Sequence, residues 1–347
     1  MKFIFLYEEL AIYFQRCLEA LQSEHQVEVH LFRRSVHQDA PFAFEFNHLH
    51  IYNEADYTSD QLQTFIEDLR PDLIYCAGWV NKKYLTVVRK FHKKTITVLG
   101  FDNAYNGSIR QRLALVYARF RLTPCFQYVF VPGELQKEFA LRMGFSSPQI
   151  HTGAYSCDYE FYSTCRTAYF KKKIAEFPRR FIYVGRYTEV KGIENLWDAF
   201  EEISNEHSHH WELWCIGTGS IEPRVHEKIK HFGFVQPSDM GKYLAQTGVF
   251  VLPSSFEPWG VVVHEFAAAG FPLILSDKVG AKESFLKDNY NGYRFESGSK
   301  SQLKNCLLEM MNASKDQWIH MSERSAELAK KNTPKIWAEK LFRMAQQ

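Results

Sequence analysis

At 347 residues, 46% of them hydrophobic, the chain is long enough for two hydrophobic cores and longer than one core usually grows. Its 42 lysines and arginines against 40 aspartates and glutamates leave a net charge near +2, which excludes a surface built throughout to coat nucleic acid. Seven scattered cysteines without a Cys-x-x-Cys pair suggest neither a disulfide framework nor a zinc site, and no run of about 18 apolar residues offers a membrane span. The expectation is a cytoplasmic chain, at most peripheral on the inner face of a membrane.

The opening apolar run, residues 2–7, meets Glu8 and Glu9 too early for a signal-peptide core and reads as a strand. Further β-rich runs predict strands at 27–32, 48–52, 72–76, 95–100, 128–131 and 149–152, with helical patterns between most of them. That alternation is the signature of βαβ units and of largely parallel sheets in an α/β protein. The turn after the first strand, Tyr7-Glu8-Glu9-Leu10, has no glycine; its two carboxylates face either an acceptor or solvent. The strand at 95–100 runs into Phe101-Asp102-Asn103. Asp102 can accept a hydrogen bond from a ligand, and Asn103 can donate or accept one; an Asx turn closing the strand is the alternative.

Between residues 73 and 133 Asp102 is the sole acid among ten basic side chains, which include Lys82, Lys83, Arg110 and Arg112. Trp79, Tyr84, Phe91, Tyr117 and Phe120 are interleaved with them. A solvated face normally mixes signs, so the patch fits anionic headgroups or a lipid pyrophosphate; no nucleic-acid recognition motif accompanies it.

Residues 156–178 show no clear period and read as a connection between a domain at 1–155 and another at 179–330, with a helix at 331–347 packing back on the first. In the second half strands are expected at 181–184, 211–216, 231–235, 249–252 and 272–275, with helices after Gly192, Ser238, Gly260, Lys282 and Ser299. Ligands of such sheets gather at the carboxyl ends of the strands.

Two segments stand at such ends. The first, following 249–252, runs from Ser254-Ser255 through Glu257, Trp259 and Gly260 to Glu265 and Gly270. Glu257 in the loop can accept from sugar hydroxyls, and Glu265, eight positions on, can reach ribose hydroxyls. If every intervening residue were helical, the two would lie about 12 Å apart at 1.5 Å per residue. Trp259, Gly260 and Val261 offer backbone N–H groups to a diphosphate at a helix N-terminus. A lone glutamate in such a helix is usually a solvated surface residue; the small residues around this one set it apart. The second segment, Gly185-Arg186-Tyr187-Thr188-Glu189-Val190-Lys191-Gly192, follows 181–184 and places Arg186 and Lys191 at the same sheet edge. Either they are solvated charges at a helix start, or they neutralise a departing nucleoside diphosphate.

With these residues in place, the C-terminal half resembles glycosyltransferase family 4. Gly185-Arg186 with Lys191 looks like the family's phosphate-binding pair, and Ile216-Gly217-Thr218-Gly219 like its Gly-x-Gly turn. Gly233-Phe234-Val235 looks like the turn that meets the nucleobase, and Ser255, Glu257 and Glu265 like the paired-glutamate motif. The resemblance implies a GT-B fold, two Rossmann-like domains facing each other across a cleft. It implies transfer of a sugar from a nucleoside-diphosphate donor with retained anomeric configuration, without a cofactor or catalytic metal. The acceptor would be a saccharide or lipid-linked saccharide in cell-surface polysaccharide or glycolipid assembly, with an anionic membrane surface as a further partner and no nucleic acid. Glu257, Arg186, Lys191 and Asp102 would then be the catalytic set. Many members carry a Gly-rich first turn and a His after a mid-domain strand, and both are missing here. A sugar-nucleotide epimerase and a non-catalytic partner subunit are therefore the alternatives. A nicotinamide-dependent oxidoreductase is disfavoured because no Gly-x-Gly-x-x-Gly follows an expected strand.

Overall fold

The computed structural model describes residues 1–34, 44, 46 and 48–347. They divide into two compact units, residues 1–157 with 332–347, and residues 158–331.

The first unit is a seven-stranded parallel sheet: β1 (Lys2–Leu6), β2 (Glu28–Arg33), β3 (His50–Asn53), β4 (Leu73–Ala77), β5 (Ile96–Gly100), β6 (Tyr128–Val131) and β7 (Ile150–Thr152), in the order β3-β2-β1-β4-β5-β6-β7. Helices α1 (Ile12–His25), α2 (Ser59–Leu69), α3 (Lys82–Phe91), α4 (Ile109–Tyr117) and α5 (Glu134–Met143) connect them. The central strands are apolar on both faces because each face carries its own core. Ile4, Leu6 and Phe32 pack with Val88 on one side, and Phe3 and Phe5 with Phe14 on the other.

The second unit begins with α6 (Tyr159–Ala175) and continues through β8 (Arg180–Val184), α7 (Ile193–Glu206), β9 (Glu212–Ile216), β10 (Ile229–His231), α8 (Gly241–Leu244), β11 (Val249–Leu252), α9 (Val261–Ala268), β12 (Leu273–Ser276), α10 (Lys282–Phe285) and β13 (Gly292–Phe295), ending in α11 (Lys300–Asn312) and α12 (Lys315–Ala329). Its sheet, parallel throughout, has the order β10-β9-β8-β11-β12-β13. The last helix, α13 (Pro334–Ala345), belongs to the first unit and packs on α1. There Trp337 is fully buried, and its indole donates to the Ala154 carbonyl at 2.9 Å.

Every expected strand has a counterpart, most of them shifted by a residue or two. The strand expected at 231–235 lies at Ile229–His231 instead, because Gly233 at φ 67° turns the chain out of the sheet. Strand β13 was not foreseen. The segment read as a connection is mostly α6, started by the Asp158 carboxylate accepting from the Phe161 amide at 3.3 Å. Only Tyr162, Cys165 and Lys173 of that helix are buried, so its sequence carries no apolar stripe to announce it.

The strand order creates a switch point in the second sheet. β9 and β10 lie to one side of β8, and β11, β12 and β13 to the other. Connections leaving β8 and β11 diverge there and open a crevice at their carboxyl ends. The two segments singled out in the sequence follow these two adjacent strands.

Candidate functional site

The loop after β8 is held in place by its neighbour after β9. Gly185 N–H donates to Ile216 O at 3.0 Å and Tyr187 N–H to Thr218 O at 2.9 Å. A Cβ on Gly217, whose φ is 135°, would stand 1.9 Å from the Gly185 carbonyl oxygen, so only glycine permits this approach. Gly219 continues the pairing as a bridge to Tyr187. Beneath the loop the buried Tyr183 phenol donates to the Arg186 carbonyl at 2.8 Å, which fixes the turn while the Arg186 guanidinium stays exposed. Phe234 and Val235 lie half-buried in the loop after β10, joined to the Gly217 turn by a 2.7 Å bond from Gly217 N–H to Gly233 O.

Lys191 closes a short 3-10 turn, Glu189–Lys191. Its ammonium forms an ion pair with the Glu257 carboxylate from the loop after β11, and both side chains are largely buried. Ser255 ties the same two loops together, because its N–H and hydroxyl donate to Val190 O at 2.8 and 3.2 Å. Its donors are thus engaged within the protein, whereas the sequence pattern suggested a donor-binding hydroxyl. The Glu257 backbone in turn bridges to Val279, accepting from Gly280 N–H at 2.9 Å. The two ionised groups expected to bind different parts of a donor therefore neutralise each other across the switch point.

Gly260, at φ 90°, packs under Glu257, where an added Cβ would meet Glu257 Cγ at 2.9 Å. Helix α9 begins one residue later, and no side chain caps it. The first-turn amides, starting with Val261, stand at the positive end of the helix dipole, in the connection that follows β11 at the switch point. Trp259 itself is buried against Phe285. The helix starts at Val261 and not at Glu257, so Glu265 lies about 6 Å along it, and the all-helical path expected between the two glutamates is not what joins them. Burial raises the Glu265 pKa to about 7; a hydrogen bond with Tyr162 lowers it, and the nearby negative charge of Asp158 adds to the rise. The preceding residue is fixed as well. His264 is fully buried, its Nε2 3.0 Å from the Ala329 carbonyl oxygen, which anchors α9 to the end of α12. Thr188 Oγ1, Ser254 Oγ and Trp259 Nε1 are buried in these loops without a hydrogen-bond partner among the described residues. Buried polar atoms rarely stay unpaired, so these three are the groups of the two loops whose pairing the chain itself does not supply. Tyr162, Tyr183 and Thr188 were not singled out in the sequence, where nothing but their position after assembly distinguishes them from core residues.

The remaining candidates belong to the first unit. Asp102 lies within electrostatic reach of Tyr7, Tyr13, Tyr75 and Tyr155, whose phenols burial holds above their usual pKa. Asn103 is exposed. The Glu8 carboxylate pairs with Arg34 at 3.1 Å, and Glu9 is exposed. Lys82, Arg110 and Arg112 are exposed. Lys83 is not available as a surface cation: it pairs with Glu54 at 3.0 Å and donates to the Glu54 carbonyl at 2.8 Å. Lys90 pairs with Glu67 at 3.0 Å. The charge excess between 73 and 133 is therefore smaller in space than along the chain, since α2 and the turn before it supply acids. Among the described residues, the one group of three side chains placed to hold a metal is Glu28, His30 and His50, on β2 and β3 and not in the donor loops.

The family described as glycosyl transferases group 1 matches residues 166–331. An uncharacterised glycosyltransferase of Methanocaldococcus jannaschii is 33% identical over 120 residues, 32% of this chain and 30% of that protein. A lipopolysaccharide core biosynthesis glycosyltransferase of Rhizobium meliloti is 26% identical over 42% of each chain. The chain thus spans less than half the length of these curated relatives. Among solved structures, sucrose-phosphate synthase of Thermosynechococcus elongatus superposes with a TM-score of 0.74 at 17% identity, covering 100% of this chain and 99% of that one. Anabaena HepE in complex with UDP and glucose gives 0.70 at 15%, covering 100% of both chains. Both of the chain's units share the GT-B architecture of these structures, and residues 166–331 match the glycosyl transferases group 1 family.

Proposed function

We propose that the chain is a retaining glycosyltransferase that moves a sugar from a nucleoside-diphosphate donor without a catalytic metal. The observation that carries this reading is the juxtaposition of Arg186, the Lys191–Glu257 ion pair and the uncapped start of α9 at one switch point. A donor can exchange that pair for two better ones. Sugar hydroxyls donate to Glu257, and the released Lys191 ammonium joins Arg186 and the α9 amides on the diphosphate. Charge that develops on the leaving phosphate is then neutralised by fixed groups, which is the largest catalytic contribution such a site can make. The acceptor hydroxyl attacks on the face the phosphate leaves, and the phosphate takes its proton. Glu265 receives the ribose hydroxyls.

HepE's complex with UDP and glucose makes uridine nucleotides the first donors to try. The Rhizobium relative's role in lipopolysaccharide core biosynthesis points to a saccharide or lipid-linked saccharide acceptor in cell-surface polysaccharide assembly. Helix α4 suits that setting. Ile109, Leu113, Val116, Tyr117 and Phe120 form an exposed apolar stripe at helical spacing, flanked by Arg110, Arg112, Arg119 and Arg121. An anionic membrane surface is the partner this combination fits, and the inner face of the membrane its place.

The test is a thermal-shift screen of nucleoside diphosphates, followed by transfer assays with the matching donor and an NMR reading of the product's anomeric configuration. A ligand at 100 times its dissociation constant adds about 2.7 kcal/mol of stability. Transfer that persists in excess EDTA with retained configuration is expected. Conversion of the donor without an acceptor would show an epimerase, and no response to any nucleotide would favour a non-catalytic partner subunit.

A further inference from the structure

The cluster on β2 and β3 plays no part in the chemistry proposed above. Glu28 and His30 are two residues apart on one strand and so share a face, and the parallel register sets His30 beside His50. One ligand atom from each of Glu28, His30 and His50 lies within 4.8 Å of the other two. His30 Nε2 is 2.8 Å from Glu28 Oε1, and His50 Nε2 is 4.0 Å from the same oxygen.

From these contacts we infer that Glu28, His30 and His50 bind one zinc-like divalent ion, joining the four-residue edge strand β3 to β2. An ion held about 2.0–2.1 Å from each ligand keeps tetrahedral donors roughly 3.4 Å apart, a spacing that the two observed separations bracket. Half-exposed His50 and Glu28 supply the adjustment, while His30 is buried and fixed. Two imidazoles and one carboxylate select a borderline ion of the zinc type over calcium or magnesium, which prefer oxygen. Solvent completes the coordination.

The surroundings support the same assignment. Tyr52 Oη lies 3.1 Å from His30 Nδ1, the position of the outer partner that orients a ligating histidine. In the metal-free chain His30 Nε2–H donates to Glu28. With the ion bound, the proton resides on Nδ1, Tyr52 oxygen accepts it, and the Nε2 lone pair turns to the metal. Lys2, opposite Glu28 across β1 and β2, opposes the ion and limits its affinity.

Equilibrium dialysis of the intact chain against zinc, with cobalt spectroscopy on the same samples, tests this. One zinc per chain is expected. His50→Ala, whose side chain is half-exposed and not needed for folding, should weaken binding at least about tenfold, and Tyr52→Phe about tenfold. The cobalt form should lack a thiolate charge-transfer band, which separates this site from the seven free cysteines. Failure of the unmodified chain to bind zinc, unchanged stoichiometry in His30→Ala/His50→Ala, or a thiolate band would each overturn the assignment. Because the ion's ligands stand on β2 and β3 and none of them belongs to the loops after β8 and β11, glycosyl transfer in excess EDTA and zinc binding by the chain are separate results.

Discussion

The Lys191–Glu257 pair makes the proposed roles of single side chains separable. Lys191→Ala and Arg186→Ala should each lower turnover by about 10², the scale for losing one preorganised contact to a developing anion. Wild-type rates in both variants would remove the phosphate role. Glu257→Gln should depress turnover while leaving affinity for the free nucleoside diphosphate nearly intact. Glu265→Gln should instead weaken the nucleotide by about 1.5–3 kcal/mol, the value of a charge-assisted hydrogen bond. The raised pKa of Glu265 adds a pH signature. Its folded-state value of about 7 lies above the ordinary 4.5, so its contribution to stability is full below 4.5 and is lost as pH rises through about 7. Ribose hydroxyls favour the ionised carboxylate, so nucleotide affinity should fall as pH drops below about 7 and binding should release protons. Calorimetry in buffers of different ionisation enthalpy would show this for the wild type. The Glu265→Gln variant should keep only the titration of the diphosphate itself; an identical pH dependence in both would exclude Glu265 from the ribose. The two glutamates were legible in the sequence by their spacing and small neighbours. Lys191 was legible too, but its pairing with Glu257 was not, nor was Tyr162 as the partner of Glu265, because those contacts join segments 66 and 103 positions away.

At the scale of the element, α4 stands out because none of its residues is buried, and five large apolar side chains stand exposed along it and the turn that follows. Leu115 packs the helix on the core, and the opposite apolar stripe left in solvent is the pattern expected of an interfacial anchor. Flotation with anionic vesicles should show salt-sensitive binding, with about 1 kcal/mol per arginine near the surface. Leu113→Asp and Phe120→Asp should abolish it without altering the fold, since both side chains are exposed at 69% and 71%. Equal recovery on neutral and anionic vesicles at low salt would assign the stripe to something else. The sequence showed the basic composition of this region but overstated it, because counting charges along the chain misses Glu54 and Glu67, which neutralise Lys83 and Lys90. The opposite error hid α6, a helix whose buried residues are too few and too polar to form a period.

For the whole molecule, the chain's return matters most. The first unit is completed by its last 16 residues, which cross back from α12 at residue 332. Trp337 enters the core between Phe5, Phe14 and Phe130, with ring centroids 6.3, 5.6 and 5.9 Å away. Trp337→Ala should therefore cost the first unit about 3–5 kcal/mol, through lost burial and an unpaired Ala154 carbonyl. Denaturant unfolding should show that unit melting earlier while the second is unaffected. An unchanged first transition would mean that α13 adds little to the core.

Sequence alone determined what depends on neighbours along the chain. Apolar runs bounded by turn residues marked the strands, helical periods marked most of their connections, and small residues around charged ones marked the loops after β8 and β11. These follow from backbone periodicity and local sterics, which any short window contains. The tertiary structure decided which ends meet. Placing β8 beside β11 brought Lys191 to Glu257, and pairing β2 with β3 brought His50 to Glu28 and His30. Strand order is settled by how helices cover both faces of a sheet. That is a property of the assembled core, and no local stretch of sequence records it.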